Sequence, residues 1–282
     1  MKKILSIILS LFLTCSFFGC SEKNDNIQKA TTNENNVSKF NEKDYNRYFN
    51  GIDGCAIFYS VKSDTYDVYN KNMVDVEEIP CSSFKIISAI AGLETGFIEN
   101  SDTVLEWDGS KYMMEDWEQD LSLDKAFKLS ANWYFDKIDK TVGQEVLKDI
   151  VEKTDYGNKD ISGGIPNGEA KLKISPREQA DFIRALFNNK FGFKENTLDN
   201  VKKIMSAEIE TGELYGKTGT SGTEFLPDGN QTAWFVGLYK ENENEYYFAV
   251  RIWGDKDNEN IRGPVAQEIA KNICLNEYCE NQ

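Results

Sequence analysis

A serine and a lysine three positions apart open a helix-like segment of this chain. Ser82 and Lys85 stand in the run Pro80-Cys81-Ser82-Ser83-Phe84-Lys85. Residues three apart share one face of a helix, which brings the lysine amine beside the serine hydroxyl. The free N–H groups at the helix N-terminus could hold an oxyanion formed when Ser82 attacks a carbonyl. A buried Lys85 that is neutral, or converted to an anionic base, could accept the serine proton, so the pair predicts acyl transfer.

The amino-acid composition excludes every class of active site that depends on histidine. The chain has 282 residues and no histidine, which excludes a Ser-His-Asp triad, a Cys-His pair and a His-ligated zinc site. Lys plus Arg is 32 and Asp plus Glu is 47, for a formal charge of -15. That balance argues against a nucleic-acid partner and against polybasic attachment to lipid, and it is typical of a solvated surface. Acid–base chemistry must then come from lysine, carboxylate, tyrosine or cysteine side chains.

The serine–lysine spacing alone is weak evidence. It occurs again at Ser122 and Lys125, where we expect it to be accidental. An N-cap serine followed by a solvated helix lysine gives the same pattern without any chemistry. Only further polar groups in a suitable order can separate the two pairs.

Two such groups follow the first pair. Lys217-Thr218-Gly219-Thr220 lies on a predicted strand, where the lysine offers a cation and Thr218 a hydroxyl. Ser130-Ala131-Asn132 stands at the start of a predicted helix, where Ser130 could relay a proton to a leaving nitrogen. Each has a plain structural explanation, a turn into a strand or a helix N-cap. Their combined order after Ser82 favours an active site.

The surrounding pattern predicts a mixed α+β domain. Strands are expected at 56–61 and 66–69, joined by a hairpin turn, and again at 214–218, 233–239 and 246–253. The segment between about 82 and 186 is mainly helical, and its last helix opens with Ser175 as N-cap, Pro176 at N1 and Glu178 at N3. A final helix is expected at 265–273. This order predicts an antiparallel sheet built from both ends of the chain, flanked by helices, with a helical lobe.

Over residues 51–275 the sequence resembles the penicillin-recognising serine enzymes, and class D (oxacillinase-type) β-lactamases in particular. The general resemblance rests on three motifs: Ser82 with Lys85, Ser130-Ala131-Asn132, and Lys217-Thr218-Gly219-Thr220. The class D resemblance rests on a further set of motifs: Tyr156-Gly157-Asn158, Ile161-Ser162-Gly163-Gly164, Leu172-Lys173-Ile174-Ser175, Trp107-Asp108-Gly109, Trp117 with Asp120, and Trp234-Phe235-Val236-Gly237. The β-lactamase/transpeptidase-like fold is the one this resemblance implies.

The resemblance also implies roles for individual residues. Ser82 would be acylated by the β-lactam carbonyl, and Lys85 would react with CO2 to form a carbamate (N6-carboxylysine) that serves as the base. Ser130 would pass a proton to the β-lactam nitrogen, and the N–H groups of Ser82 and Thr220 would form the oxyanion hole. No other cofactor and no metal is implied. The residues expected to contact substrate are Lys217, Thr218, Gly219, Thr220, Tyr156, Asn158 and Arg262, with Arg251 as the alternative to Arg262.

Two departures from the family pattern bear on turnover. The loop after Asn158 lacks the tryptophan that usually bonds the carbamate, since residues 165–170 read Ile-Pro-Asn-Gly-Glu-Ala. Asn132 replaces a common valine and resembles the penicillin-sensor domains of signal transducers, which are acylated but barely turn over. Despite these two departures, the leading expectation is a β-lactam hydrolase. The alternatives are a penicillin-binding or sensor-type domain that stays acylated, and a lipoprotein that binds an unrelated ligand.

The first residues predict export. Lys2 and Lys3 precede an uncharged, mostly apolar run that ends in Phe17-Phe18-Gly19-Cys20, which resembles a lipobox. We expect 1–19 to be a lipoprotein signal peptide, Cys20 to be lipidated, 20–50 to be a flexible tether and 51–282 to be the catalytic domain. Cleavage by an ordinary signal peptidase, giving a secreted protein, is the alternative. Export permits disulfides, but the spacing of the remaining cysteines fixes no pairing: Cys55, Cys81, Cys274 and Cys279.

Overall fold

A computed structural model describes residues 39–163, 171–222, 230–255 and 257–279. Its strands are β1 (Lys39–Glu42), β2 (Asp53–Ser60), β3 (Thr65–Tyr69), β4 (Val104–Leu105), β5 (Leu121–Ser122), β6 (Ser206–Ala207), β7 (Glu213–Thr220), β8 (Asn230–Glu241) and β9 (Asn244–Asp255). Its helices are α1 (Asn46–Phe49), α2 (Lys85–Thr95), α3 (Leu123–Leu129), α4 (Asn132–Val142), α5 (Gln144–Lys153), α6 (Pro176–Phe187), α7 (Glu195–Met205) and α8 (Gly263–Ile273). Short 3₁₀ turns include Cys81–Phe84, directly before α2.

The main sheet has seven strands in the order β1-β3-β2-β9-β8-β7-β6. Both ends of the chain contribute, because β2 pairs antiparallel with β9, with Ala56 opposite Val250. The expected hairpins are present, with Ser60 opposite Thr65 in one and Glu241 opposite Asn244 in the other. The mixed α+β prediction is confirmed.

The sheet separates two apolar cores. One face of the sheet packs against the helical lobe, and the core between them includes Trp234, Val236 and Ile57. The other packs against α1 and α8, with Phe58, Phe235 and Ile269. Alternate residues of β8 thus enter different cores, as the two-residue period of a strand requires.

The folded region begins earlier than we expected. Residues 39–50 were predicted to be the end of a flexible tether, but Lys39–Glu42 pairs parallel with β3. Tyr45 and Phe49 are buried against the sheet, and Tyr45 Oη lies 2.7 Å from Tyr278 Oη. The polar composition of this segment concealed two anchoring aromatic side chains. The predicted signal peptide, Cys20 and the rest of the tether lie outside the described residues.

The helix signals read from the sequence have physical counterparts. Ser175 accepts a hydrogen bond from the Glu178 N–H, and Glu178 accepts one from the Ser175 N–H, which completes a capping box. Gly96 ends α2 in the left-handed conformation, with φ of 79°. In the part of the chain that the structure describes, no helix is long and apolar enough to cross a membrane.

Candidate active site

The serine–lysine pair lies where a 3₁₀ turn runs into α2. In a 3₁₀ turn, residues three apart eclipse one another, so the spacing puts Lys85 directly over Ser82. Lys85 Nζ lies 2.8 Å from Ser82 Oγ. The turn starts at Cys81, whose φ of 51° is unusual for a residue with a side chain. That backbone conformation directs the chain sharply from Pro80 into the helix.

Lys85 is buried beneath α4. Its amine donates to Asn132 Oδ1 at 2.7 Å, and the Phe135 ring centroid lies 5.7 Å away. Burial lowers the pKa of Lys85 to about 8, an effect that the charges of Asp136 and Asp139 partly offset. A neutral amine is therefore accessible near physiological pH, as proton acceptance from Ser82 requires.

Ser130 and Lys217, which are distant in the chain, form another serine–lysine contact. Ser130 has a left-handed backbone, with φ of 56°, and its hydroxyl accepts a hydrogen bond from Lys217 Nζ at 2.8 Å. Lys217 is buried on β7, and the same amine reaches Thr218 Oγ1 at 3.3 Å. Burial first, and the charge of Lys85 second, hold the pKa of Lys217 well below its usual range. Lys217 is thus placed to adjust the proton affinity of Ser130.

The end of β7 packs closely against the turn that carries Ser82, because Gly219 has no side chain. A Cβ at this position would come within 3.1 Å of both Cys81 Cβ and the Pro80 carbonyl, and 3.4 Å from the Ser82 nitrogen. The absence of a side chain at Gly219 therefore lets the end of β7 approach the start of the turn. The predicted oxyanion-hole residues, Ser82 and Thr220, stand on the two segments that this contact joins.

Arg262 lies beside the same end of β7. The Gly263 N–H donates to Thr220 Oγ1 at 2.8 Å, and the Arg262 side chain is exposed. Its proposed alternative is not available for a substrate carboxylate. Arg251 is buried, with Nε donating to Thr232 Oγ1 at 3.1 Å and its guanidinium paired with Glu78 at 3.5 Å.

Tyr156 and Asn158 are two further residues that we expected to contact substrate. Tyr156 is fully buried behind the nucleophile turn, 3.4 Å from Ser83 Oγ. Asn158 holds the two ends of its loop together, donating to the Lys171 carbonyl at 2.8 Å and accepting from the Lys173 N–H at 3.1 Å. Tyr156 thus packs against the nucleophile turn from behind, and a substrate contact of Asn158, which is exposed, stays a prediction.

Gly157 explains why that motif keeps a glycine. It has a φ of 54°, and a Cβ there would overlap the Lys173 carbonyl. The loop after Asn158 that lacks the tryptophan falls within residues 164–170, outside the described residues.

Some polar groups of the site were not assigned roles from the sequence. Asn132 was noted as a departure from the family, but its hydrogen bond to Lys85 was not predicted. Asp139 is buried and accepts a hydrogen bond from Ser88 Oγ at 3.0 Å. The available signal was positional, because Asp139 is the one polar residue among the buried positions of α4, which are otherwise apolar.

Four cysteines lie among the residues that the structure describes. Cys55, Cys81, Cys274 and Cys279 form no disulfide among the described residues. Burial raises the pKa of the Cys55 thiol to about 12 and also raises that of Cys81. Both are therefore packed as inert apolar groups, although Cys81 adjoins the nucleophile. The described residues also contain no cluster of His, Cys, Asp and Glu suited to a metal ion.

Comparison with known proteins identifies the family of the chain. The model of the penicillin binding protein transpeptidase domain matches residues 25–275. Beta-lactamase OXA-19 of Pseudomonas aeruginosa is 36% identical over 240 residues, covering 83% of this chain and 88% of that protein. The regulatory protein BlaR1 of Bacillus licheniformis is 32% identical over 237 residues. That match covers 82% of this chain but 38% of BlaR1, so the chain spans about two fifths of the length of that regulatory protein.

Solved structures match in the same two groups. The C-terminal domain of the Bacillus licheniformis BlaR penicillin-receptor superposes with a TM-score of 0.78 at 30% identity, covering 87% of this chain and 99% of that domain. A class D β-lactamase from Bacillus subtilis gives 0.75 at 30% identity, covering 85% and 98%. The chain belongs to the penicillin-recognising family defined by the transpeptidase domain. Within it, the relatives are class D β-lactamases together with the penicillin-sensor domains.

Proposed function

We propose that this protein hydrolyses β-lactam antibiotics through an acyl-enzyme on Ser82. The observation that carries the proposal is the 2.8 Å contact between Ser82 Oγ and the buried amine of Lys85. A serine at the start of a helix, beside a lysine with lowered pKa, is equipped to attack a strained amide. The family relatives named as β-lactamases support this choice of substrate.

The proposal assigns each step of acylation to a particular group. Lys85 takes the proton of Ser82 as its oxygen attacks the β-lactam carbonyl. The oxyanion that forms is held by the backbone N–H groups of Ser82 and Thr220. Ser130 gives its proton to the β-lactam nitrogen as the C–N bond breaks, and Lys217, 2.8 Å from Ser130 Oγ, stabilises the developing charge on that oxygen. Arg262 and Thr218 receive the substrate carboxylate.

Deacylation needs a base that stays deprotonated. A carbamate on Lys85 would supply one, because a carboxylate oxygen can activate the water that attacks the ester. The pocket fits this modification in two respects: Lys85 is buried, and its lowered pKa gives CO2 access to a neutral amine. Asn132 is the neighbour that could donate an amide hydrogen to a carbamate oxygen.

A second function, penicillin sensing by a stable acyl-enzyme, is favoured by one specific contact. Lys85 Nζ donates to Asn132 Oδ1 at 2.7 Å, which satisfies the amine as an ammonium and opposes its conversion to a carbamate. A lysine held in this way could still exchange a proton during acylation, yet leave the ester unhydrolysed. The BlaR penicillin-receptor domain, with its TM-score of 0.78, is consistent with this outcome.

One experiment separates these functions. The purified domain is mixed with a chromogenic cephalosporin, with and without bicarbonate, and its intact mass is followed. Continuous colour with little adduct supports hydrolysis, whereas one equivalent of colour with a persistent adduct supports sensing. Neither colour nor adduct would exclude both. Asn132→Val is the matched variant, and we expect it to speed deacylation in bicarbonate if the Asn132 contact restrains Lys85.

We also propose that the protein is exported and held at the outer face of the membrane by lipid on Cys20. The lipobox-like run before Cys20 supports this placement. The test is detergent partitioning and N-terminal mass of the expressed protein. Cys20→Ala should release the protein or leave it unprocessed, and equal membrane retention of the two forms would contradict the anchor.

A further inference from the structure

A layer of polar side chains bridges α2 and α4 below the catalytic lysine. Lys85 and Ser88, one turn apart, share a face of α2, and Asn132, Asp136 and Asp139 share a face of α4. Two hydrogen bonds link the helices, from Lys85 Nζ to Asn132 Oδ1 at 2.7 Å and from Ser88 Oγ to Asp139 Oδ2 at 3.0 Å. The layer therefore continues one helical turn deeper than the site itself.

Asp139 is the unusual member of this layer. Its side chain is 3% exposed, and its Oδ1 atom has no hydrogen-bond partner among the described residues. A buried carboxyl group with one unsatisfied oxygen destabilises the fold, so its presence calls for an explanation. Burial raises the pKa of Asp139 to about 7, with Ser88 and Lys85 acting in the opposite direction and Asp136 in the same direction.

Lys85 is the cation that acts on this carboxyl. On its own helix Lys137 and Lys140 are exposed, and Asp136, which lies at the surface, raises the pKa of Lys85 more than Asp139 does and in the same direction. On the helices packed against α4, the half-buried Asp124 of α3 is paired with Lys128. The other charged residues of α3 and α5 are exposed: Lys125, Lys128, Glu145, Lys148, Asp149, Glu152 and Lys153. Asp139 and Lys85 thus form a coupled pair across the α2–α4 interface.

We propose that Asp139 is a positioning residue that, together with Asp136, sets the charge state of Lys85. Its carboxylate keeps the lysine an ammonium bonded to Asn132, and so limits the fraction available as a base. The inference deepens the proposed function and rests on it, since it assigns regulation to the same lysine. It explains why a buried acid with an unsatisfied oxygen lies one turn below the catalytic lysine.

The chemistry of carbamate formation gives the sign of the effect. The amine nitrogen bonds to the carbon of CO2, and the nitrogen releases one proton, so an ammonium must first lose a proton. A nearby carboxylate opposes this step twice, by favouring the ammonium and by repelling the new negative charge. Replacing Asp139 with a neutral isostere should therefore lower the pKa of Lys85 and increase carbamate occupancy. One unit of pKa corresponds to about a tenfold change in the neutral fraction.

The primary test is NMR of protein labelled with ¹³C at the lysine ε-carbon, titrated from pH 6 to pH 10, a window of about four units around the midpoint. Asp139→Asn should lower the midpoint of the Lys85 resonance by about one unit. With ¹³C-bicarbonate at a subsaturating level, its carbamate signal should be about tenfold stronger than in the wild type. Asp149→Asn, which removes an exposed acid of α5, is the matched control and should reproduce both wild-type results.

Ser88→Ala provides an independent variant that keeps the carboxyl group. It removes the hydroxyl that donates to Asp139 Oδ2, so the pKa of Asp139 should rise further and more of it should be neutral at pH 7. The Lys85 midpoint should then move in the same direction as in Asp139→Asn, by a smaller amount. If Asp139→Asn fails to fold, this variant decides the question.

Unchanged Lys85 midpoints in folded Asp139→Asn or Ser88→Ala would overturn the proposal, and a lower melting temperature alone would assign Asp139 a structural role only. The lysine titration uses no β-lactam. A wild-type protein that penicillin does not acylate would therefore refute the proposed function while leaving the Asp139–Lys85 coupling measurable.

Discussion

The chain contains the same serine–lysine spacing twice, and the two pairs have different structural roles. At Ser82 the lysine amine turns back to the serine hydroxyl at 2.8 Å, under the cover of α4. At Ser122 the hydroxyl instead caps α3 by accepting from the Lys125 backbone N–H at 3.3 Å, and the Lys125 side chain is exposed. The spacing brings the serine and the lysine close together in both pairs. For the lysine to act as a base, a second helix must also shield it from water and so lower its pKa.

The largest difference between the two pairs should appear on removing each hydroxyl. Ser82→Ala should abolish the covalent penicillin adduct, because the attacking oxygen is gone. Ser122→Ala and Ser83→Ala should be labelled fully, since neither hydroxyl adjoins a buried amine. Intact mass after incubation with penicillin measures this directly, and an adduct on the Ser82→Ala protein would show that another residue is the nucleophile.

The next largest difference concerns the two lysines. Lys85→Ala removes the base and should slow acylation by about 10²- to 10⁴-fold. Lys125→Ala removes an exposed side chain and should change the rate by no more than about twofold. Stopped-flow acylation of the two variants gives the comparison. Equal slowing in both would mean that burial under α4 is irrelevant to the role of Lys85.

A smaller effect, but one specific to the buried pair, is the pH dependence of acylation. Burial lowers the pKa of Lys85 to about 8, so the amine gains its basic form as pH rises through that value. In bicarbonate-free buffer the acylation rate should therefore rise about tenfold per unit at low pH and level off above about pH 8. A profile that is flat from pH 6 to pH 9, a span of about three units, would contradict a free-amine base.

Adding bicarbonate extends this experiment. If a carbamate forms, hydrolysis should increase more than acylation does, because the ester needs a persistent base. The acyl-enzyme should then accumulate when bicarbonate is depleted, as intact mass would show. Fast turnover that is indifferent to bicarbonate would mean that the missing loop tryptophan has no consequence.

The sequence was most informative where a local rule has a single structural solution. The capping box at Ser175 and Glu178, the stop at Gly96 and the two hairpins follow from cap and turn chemistry, and all are present. The juxtaposition of Ser82 with Lys85 follows likewise from helical spacing. These predictions depend on residues close in the chain, so no knowledge of the tertiary fold was needed.

What the sequence could not give depends on contacts between distant segments. Asn132 reaches Lys85 across 47 positions, and Asp139 meets Ser88 across 51, because α4 happens to pack on α2. Tyr156 was expected at the substrate but is buried, since nothing local distinguishes a motif tyrosine that packs from one that binds. The tether prediction failed at residues 39–50 for a similar reason: β1 is held by its pairing with β3 rather than by its own composition.

The smallest expected effect is structural, and it shows what the second pair does. Ser122 satisfies an N–H at the start of α3, so Ser122→Ala should lower the free energy of unfolding by about 1 kcal/mol. For a domain of this size that corresponds to about 2–4 °C in melting temperature. Ser122→Asp, which keeps a capping oxygen, should melt close to the wild type and serves as the control. Both variants should acylate at the wild-type rate, because the cap lies outside the reaction path. If Ser122→Ala melted normally but acylated slowly, Ser122 and Lys125 would take part in catalysis. The distinction between a buried catalytic lysine and a solvated one would then be wrong.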